Sequence, residues 1–343
     1  MSAPALSSEH RPVSSAANVG LRQANLPKDL GAIADLIEIA FASSMDSSGR
    51  AAVREMRSLG RSGPLIWALA SLDRTIRSLS YGYVWIDSAS GELVGNVSSY
   101  PSDYDPNVWI IANVAVHPNF RRQGIARKMM EAAMESAVQR QAREIILQVE
   151  ERNTGAQRLY GQLGFHALRG FTHWRRRTYR DLPDIEPNLE KITLRQGREW
   201  KAELALAQQI RPNERGGLGW QRPTEEQTFR PGILARLNRF ILGRNITRWV
   251  MRSDEDERLL ASAPVETRFG STYARVDLLV SPEQQGQLEK PLLNFVIRHL
   301  AERRHGILIH HPSDDEAANR IFEEYDFEHL RSLVHMRWLA SSA

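Results

Sequence analysis

The stretch from Trp109 to Phe165 limits most strongly what this chain can fold into, because its pattern requires a strand, a turn, a helix, a second strand and a second helix in unbroken order. Trp109-Ile-Ile-Ala-Asn-Val-Ala-Val116 is rich in β-branched and apolar residues and at this length suits a buried strand. His117-Pro118-Asn119-Phe120 breaks it. Beyond Arg121-Arg122-Gln123-Gly124, the residues Ile125, Met129, Met130, Ala133, Met134 and Ala137 recur at helical spacing, so a helix begins at or near Gly124. Glu144 to Val149 is a second apolar strand, and Asn153 to Phe165 holds a short helix stopped by Gly164.

A helix N-terminus leaves N–H groups unpaired and carries the positive end of the macrodipole. A turn that exposes it beside Arg121 and Arg122 is built to hold a pyrophosphate, and small residues at Gly124 and Ala126 let phosphates approach the backbone. Taken alone, the same six residues equally suit a strand-to-helix turn whose arginines face water.

The pattern R-x-x-G-x-A at Arg121 to Ala126, followed by N-x-x-A-x-x-L-Y-x-x-x-G-F at Asn153 to Phe165, resembles the core of the GNAT superfamily of acyl-CoA N-acyltransferases. The resemblance implies an α/β fold (an α+β mixed sheet) that splays open between the strand ending at Val116 and the strand ending at Val149, with the pantetheine arm in the gap. It also implies coenzyme contacts from the backbone of Val114, Ala115 and Val116, and from Arg121, Arg122, Gln123, Gly124, Ile125 and Ala126 at the pyrophosphate. Asn153 would fix the pantetheine arm. Tyr160 matches the tyrosine that in many members protonates the departing thiolate, a role open to a phenol with an ordinary pKa of about 10; the alternative for Tyr160 is a core aromatic. Where some relatives carry a glutamate base this chain has Ile110 and Gln148, and Glu150, of the same strand parity as Gln148, is either a base or an ordinary surface residue.

With 343 residues, 42% of them hydrophobic, the chain is long enough for two domains. It has no cysteine, which removes disulfides, thiol nucleophiles and thiolate metal sites, and makes a cytoplasmic setting the expectation. No apolar run approaches the roughly 20 residues of a membrane span, and Met1 to Asn18 is expected to be a disordered tail. A net charge of +4 is too small to argue for nucleic acid. Neither a metal, nor nucleic acid, nor a membrane is therefore an expected partner.

In chain order, a strand near Gly20–Ala24 leads into a helix carrying Leu30, Ile33, Leu36, Ile37 and Phe41 on one face, and helical segments follow over Ala51–Leu59 and Leu65–Leu79. A hairpin over Tyr81–Tyr100 delivers the chain to Trp109 through the acidic loop Ser102–Asn107, either an attractor for a cationic acceptor or a solvated turn. Leu168–Arg180 reads as a remaining hairpin arm whose arginines either meet a phosphate or an acidic acceptor or keep a strand edge soluble. The Pro-containing segment 181–190 is the best linker.

The second half repeats the first at a constant offset of 162 residues, from Tyr160 to Phe322: Phe165 aligns with Phe327, Arg169 with Arg331 and His173 with His335. Two tandem GNAT-like domains follow, each a splayed, mostly antiparallel sheet with helices on both faces: a catalytic domain over 19–180 and a degenerate one over 191–343. In the latter, Glu283 and Glu289 stand where pyrophosphate would lie, Pro291 moves the helix start away from Gly286, and Asp315 and Phe322 replace Asn153 and Tyr160. The inserted stretch Arg211–Gly243 is either a cover over a cleft or a long surface connection.

The expected activity is transfer of an acetyl group from acetyl-CoA to a primary amine of a small molecule or a protein N-terminus. The competing expectation is a non-catalytic acetyl-CoA sensor, which would need no proton donor at Tyr160.

Overall fold

The computed structural model describes residues 20–42, 45, 47–61, 81–255 and 258–340. The expected tail over Met1–Asn18 and the helical segment over Leu65–Leu79 lie outside the described residues. The chain forms two compact units, Met1–Ile145 with Leu339–Ala343, and Ile146–Trp338.

In the first unit β1 (Leu21–Gln23), β2 (Tyr83–Ile86), β3 (Leu93–Pro101) and β4 (Val108–Val116) pair antiparallel in that order. Helix α1 (Leu26–Ala40) has Pro27 in its first turn, where a missing N–H costs nothing. Arg22 of β1 chelates Asp29 of α1 with two bonds of 2.7 Å, which fastens strand to helix. The expected apolar face is the buried one: Leu30, Ile33 and Ile37 cluster with Val53 of α2 (Ser47–Gly60) and with Val84 of β2. The next residue of β2, Trp85, lies under Lys128 of α3 (Ile125–Gln139), whose ammonium is 5.5 Å from the ring centroid. Successive β2 residues thus serve α1 and α3, so helices cover both faces of this sheet.

The second unit takes in β5 (Glu144–Glu150) from Ile146 onward, α4 (Thr154–Gln162), β6 (His166–Arg176), β7 (Thr193–Leu194), α5 (Trp200–Ile210), α6 (Glu226–Phe229) and α7 (Ile233–Ile241). It continues through β8 (Arg244–Arg252), β9 (Leu259–Arg268), β10 (Tyr273–Val276), β11 (Leu279–Val280), α8 (Glu289–Ala301), β12 (Gly306–Pro312), α9 (Glu316–Glu324) and β13 (Glu328–Leu339). The strand order is β5-β13-β6-β12-β10-β9-β8-β7, with β11 beside β9. Only alternate residues can share a face. Leu278 and Val280 enter the main core with Leu292, Leu293 and Val296 of α8, while Leu279 enters a second cluster with Leu206 and Ala207 of α5.

The two repeats exchange strands. β6 of the first repeat runs between β12 and β13 of the second, and β13 in turn runs between β5 and β6. In the β6–β13 ladder Phe171 stands opposite Leu333, the very residue that the repeat offset assigns to it, so a local two-fold relates the two strands. Cutting the chain at 181–190 would strip β6 of both neighbours and expose strand edges. Compactness and the sequence repeat consequently divide the chain at different places. The arginines of the Leu168–Arg180 arm are used in this exchange: Arg175, Arg177 and Arg180 converge on Glu328 at 2.8, 3.0 and 3.5 Å. Arg176 donates to the carbonyls of Tyr325 and Asp181. In the first unit, Asp105 of the acidic loop accepts from Arg143 at 3.1 Å and from the Asn107 amide at 2.8 Å, as a self-satisfied turn does.

Candidate active site

The C-terminal end of β4 is bent by a bulge. Ser98 of β3 faces Ala112 and Asn96 faces Ala115, so Asn113 and Val114 together oppose the single residue Val97. Asn113 takes a left-handed conformation (φ 51°), and its backbone carbonyl accepts from the Asn96 side chain at 2.9 Å while its side-chain Nδ2 donates to Ser98 Oγ at 3.3 Å. Val114 therefore has no partner of its own in the β3 register.

A short 3₁₀ turn over Pro118–Phe120 carries the chain to Arg121, whose Nε donates back to the Val116 carbonyl at 3.3 Å. The strand end and the turn are thereby held together. Gly124 caps α3 with φ 78°, a conformation that costs a residue with a Cβ roughly 1–2 kcal/mol. The conformation alone accounts for the glycine, since a Cβ built there meets nothing within 4 Å, which leaves the space in front of the turn open. No side chain caps the α3 N-terminus, and its first turn contains no acidic residue. With Arg121, Arg122 and Lys128 exposed around it, the positive helix end has neither a side-chain cap nor an acidic residue in its own first turn to offset it.

Asn153 and Tyr160 lie in the second unit. Asn153 is the N-cap of α4, accepting from the Ala156 amide at 3.1 Å, so its side-chain oxygen is committed and its amide group remains as a donor. Gln157 fixes α4 to the end of β5 by donating to the carbonyls of Glu150 and Glu151 at 3.1 and 2.7 Å. Tyr160 is buried, 6.1 Å from Phe165 between ring centroids, and burial pushes its phenol up to about 12. It is therefore fully protonated at neutral pH, as a proton donor or a core aromatic would both be.

Gln148 of β5 stands 2.7 Å from the Nε2 of His335, the repeat counterpart of His173. With the amide donating, Nε2 is an acceptor and the ring proton sits on Nδ1. His335 is stacked on Phe171 at 4.5 Å and met edge-on by Trp220 at 5.5 Å; burial pulls it down to about 4, so it is neutral at pH 7. The signal that could have found it is the repeat itself, since His335 lies on the strand that the second half lends to β5.

The second half carries the same frame with different contents. β10 and β12 pair in parallel from Tyr273 with Gly306 to Val276 with Ile309; beyond this point Leu279 and Val280 pair with β9 instead. Into this opening reaches Arg211, fully buried, whose Nη2 donates to the Leu278 carbonyl at 3.4 Å and to His311 Nδ1 at 3.1 Å. Burial lowers its pKa to about 9, which leaves it charged at pH 7. Nearby, Arg222 chelates Asp277 at 2.7 and 2.5 Å. The Arg211–Thr224 part of the inserted stretch is thus packed into the second half's own splay. At the corresponding turn α8 starts at Glu289, not near Gly286, with Pro291 in its first turn. The Glu289 side chain is buried (1% exposed) and lies toward the backbone N–H groups of Glu289, Gly286 and Gln287 without reaching hydrogen-bond geometry. Desolvation raises its pKa. Asp315 keeps the capping role of Asn153, accepting from the Ala318 amide at 3.2 Å, while Phe322 is fully buried against Trp174 and Phe327.

Among the described residues no cluster of three or more His, Asp or Glu could hold a metal ion, and no helix is long and apolar enough to cross a membrane. Residues 54–165 match the family described as Acetyltransferase (GNAT) family. Over 94 residues, 26% of this chain, it is 30% identical to the uncharacterized N-acetyltransferase YhfO of Bacillus subtilis (strain 168), and the match spans 63% of that protein's length. A GCN5-related N-acetyltransferase from Sphaerobacter thermophilus superposes with a TM-score of 0.60 at 16% identity, over 93% of this chain and 95% of that one. A tandem GNAT protein from the clavulanic acid biosynthesis pathway does so with a TM-score of 0.50 at 18% identity, over 94% and 99%. At these identities the two structures speak for the fold alone, and the likeness to the acetyltransferase (GNAT) family rests on residues 54–165, about a third of the chain.

Proposed function

We propose that the chain is an N-acetyltransferase that binds acetyl-CoA at the turn Arg121–Ala126 and moves its acetyl group to a primary amine. The observation that carries this reading is the uncapped, acid-free N-terminus of α3, opened by a left-handed Gly124 and flanked by Arg121 and Arg122. A helix end without a side-chain cap suits a pyrophosphate. The neutral amine attacks the thioester carbonyl, the backbone amides of Val114 and Val116 stabilise the oxyanion, Tyr160 protonates the leaving thiolate, and the proton shed by the acylated nitrogen returns through water to the phenolate. Asn153, through its free amide group, orients the pantetheine arm.

The repeat 19–180 carries this chemistry in the proposal, and 191–343 is a degenerate copy that gives structural support. Two observations favour that division. The buried Glu289 places a protein carboxyl where phosphate would lie, and Arg211 fills the splay where a pantetheine arm would enter. A screen of small amines and peptide N-termini for CoA release tests the proposal. Release of CoA that depends on one class of amine supports it and names the acceptor, and absence of release with all of them, despite acetyl-CoA binding, favours a sensor.

A further inference from the structure

Helix α7 (Ile233–Ile241) is not part of any core among the described residues. Ile233, Leu234, Leu237, Phe240 and Ile241 recur at helical spacing along one stripe, yet Ile233, Leu234 and Phe240 are 82, 83 and 82% exposed. Gly243 turns the chain out of the helix with φ 59°, and its carbonyl accepts from the Phe269 amide at 2.8 Å, which sets a 95% exposed phenylalanine beside the helix end. Burial of large apolar side chains is the main stabilising term of a fold, so a helix that presents its apolar stripe to water is built to meet something else.

The charge pattern says what. The segment 230–248 holds five arginines (Arg230, Arg236, Arg239, Arg244 and Arg248) and no acidic residue. Since the whole chain has 45 basic and 41 acidic residues, everything outside this segment has one more acidic than basic group. In the fold Arg244 is answered by Glu266 and Arg248 by Glu203, so the basic character beside the apolar stripe comes from the helix itself, with Arg236 exposed on α7, and from Arg230 just ahead of it. Pairing α7 with α7 of a second copy would bring two such arginine sets together, whereas an anionic lipid surface attracts them while taking up the apolar side chains. At about 1.5 Å per residue the helix is roughly 14 Å long, far short of a span and suited to lying in the interface plane.

We propose that α7 and Phe269 form a peripheral binding surface for anionic phospholipid bilayers. The absence of an apolar run of spanning length points away from a membrane partner, but a short helix that lies flat on a bilayer needs no such run. The test is co-sedimentation of the full-length chain with vesicles of phosphatidylcholine alone and of phosphatidylcholine with about one third phosphatidylglycerol. The proposal expects binding to the second kind, weakened at high salt. It also expects a loss of about tenfold or more in Ile233→Asp with Phe240→Asp, and a smaller loss in Arg236→Glu. All three side chains are exposed, so the variants should keep the parent's circular dichroism and Tm. Absence of binding to the anionic vesicles, or equal binding by the variants, overturns the proposal. So does a wild-type dimer in light scattering that becomes monomeric in Phe240→Asp, because a second copy would then be the occupant.

Discussion

Replacing Gly124 tests the phosphate turn with a built-in control. Gly124→Ala introduces a Cβ at φ 78°, which strains the backbone by roughly 1–2 kcal/mol but clashes with nothing, since no atom lies within 4 Å of that Cβ. Its effect should appear as a lower Tm and a modest loss of coenzyme affinity. Gly124→Glu adds a negative charge at the same strain. Two unit charges about 4 Å apart interact by about 4 kcal/mol at the effective dielectric of a protein surface; counter-ions at a turn open to water halve this to ~2 kcal/mol. That corresponds to a Kd roughly 30-fold weaker than that of Gly124→Ala. Titration calorimetry with acetyl-CoA at two salt concentrations reads both numbers, and the gap between the two variants should narrow at high salt. If the glutamate variant bound acetyl-CoA as well as the alanine variant at low salt, no phosphate would sit at this turn and the argument would fail.

In the second half, Glu289→Gln should raise the Tm at pH 7 to 8, because burial without bonded partners raises the pKa of Glu289 and the folded state is penalised wherever the group must ionise. The gain should shrink as pH falls toward the ordinary carboxyl range near about 4.3, and a Tm difference independent of pH would contradict it. Burial also pulls His173, His310, His311 and His335 down to about 2, 3, 4 and 4. Unfolding lets them take up protons, so stability is complete above about pH 6.5 and falls below it by up to about 1.4 kcal/mol per pH unit for each histidine. Urea midpoints from pH 7.5 to 5 measure this, and a flat midpoint would refute it.

Local features of the site were legible in the sequence, and nonlocal ones were not. The helix start beside Gly124, the short helix from Asn153, its stop at Gly164 and the helix start displaced from Gly286 toward Pro291 each depend on residues within about one turn of one another. The repeat was visible as an offset, yet not its consequence: that β6 and β13 change places depends on pairings between residues such as Phe171 and Leu333, which local pattern does not encode. The same limit hid the contact of Gln148 with His335 and the reach of Arg211 to His311, an arginine in a Pro- and Gly-rich stretch that has no counterpart in the first half. The bulge at Asn113 left no apolar-pattern signal, since only its left-handed backbone distinguishes it from an ordinary strand residue.

The central claim, acyl transfer with Tyr160 as the acid, is tested most directly by Tyr160→Phe, which removes one hydroxyl and leaves the ring that packs against Phe165. With acetyl-CoA and an accepted amine, single-turnover rates and the acetyl-CoA Kd should be measured on the same preparation. The account predicts a rate lower by about 10²-fold or more with a Kd unchanged within about twofold, the signature of a lost proton donor. A single-turnover rate equal to that of the parent would contradict it and return Tyr160 to the core.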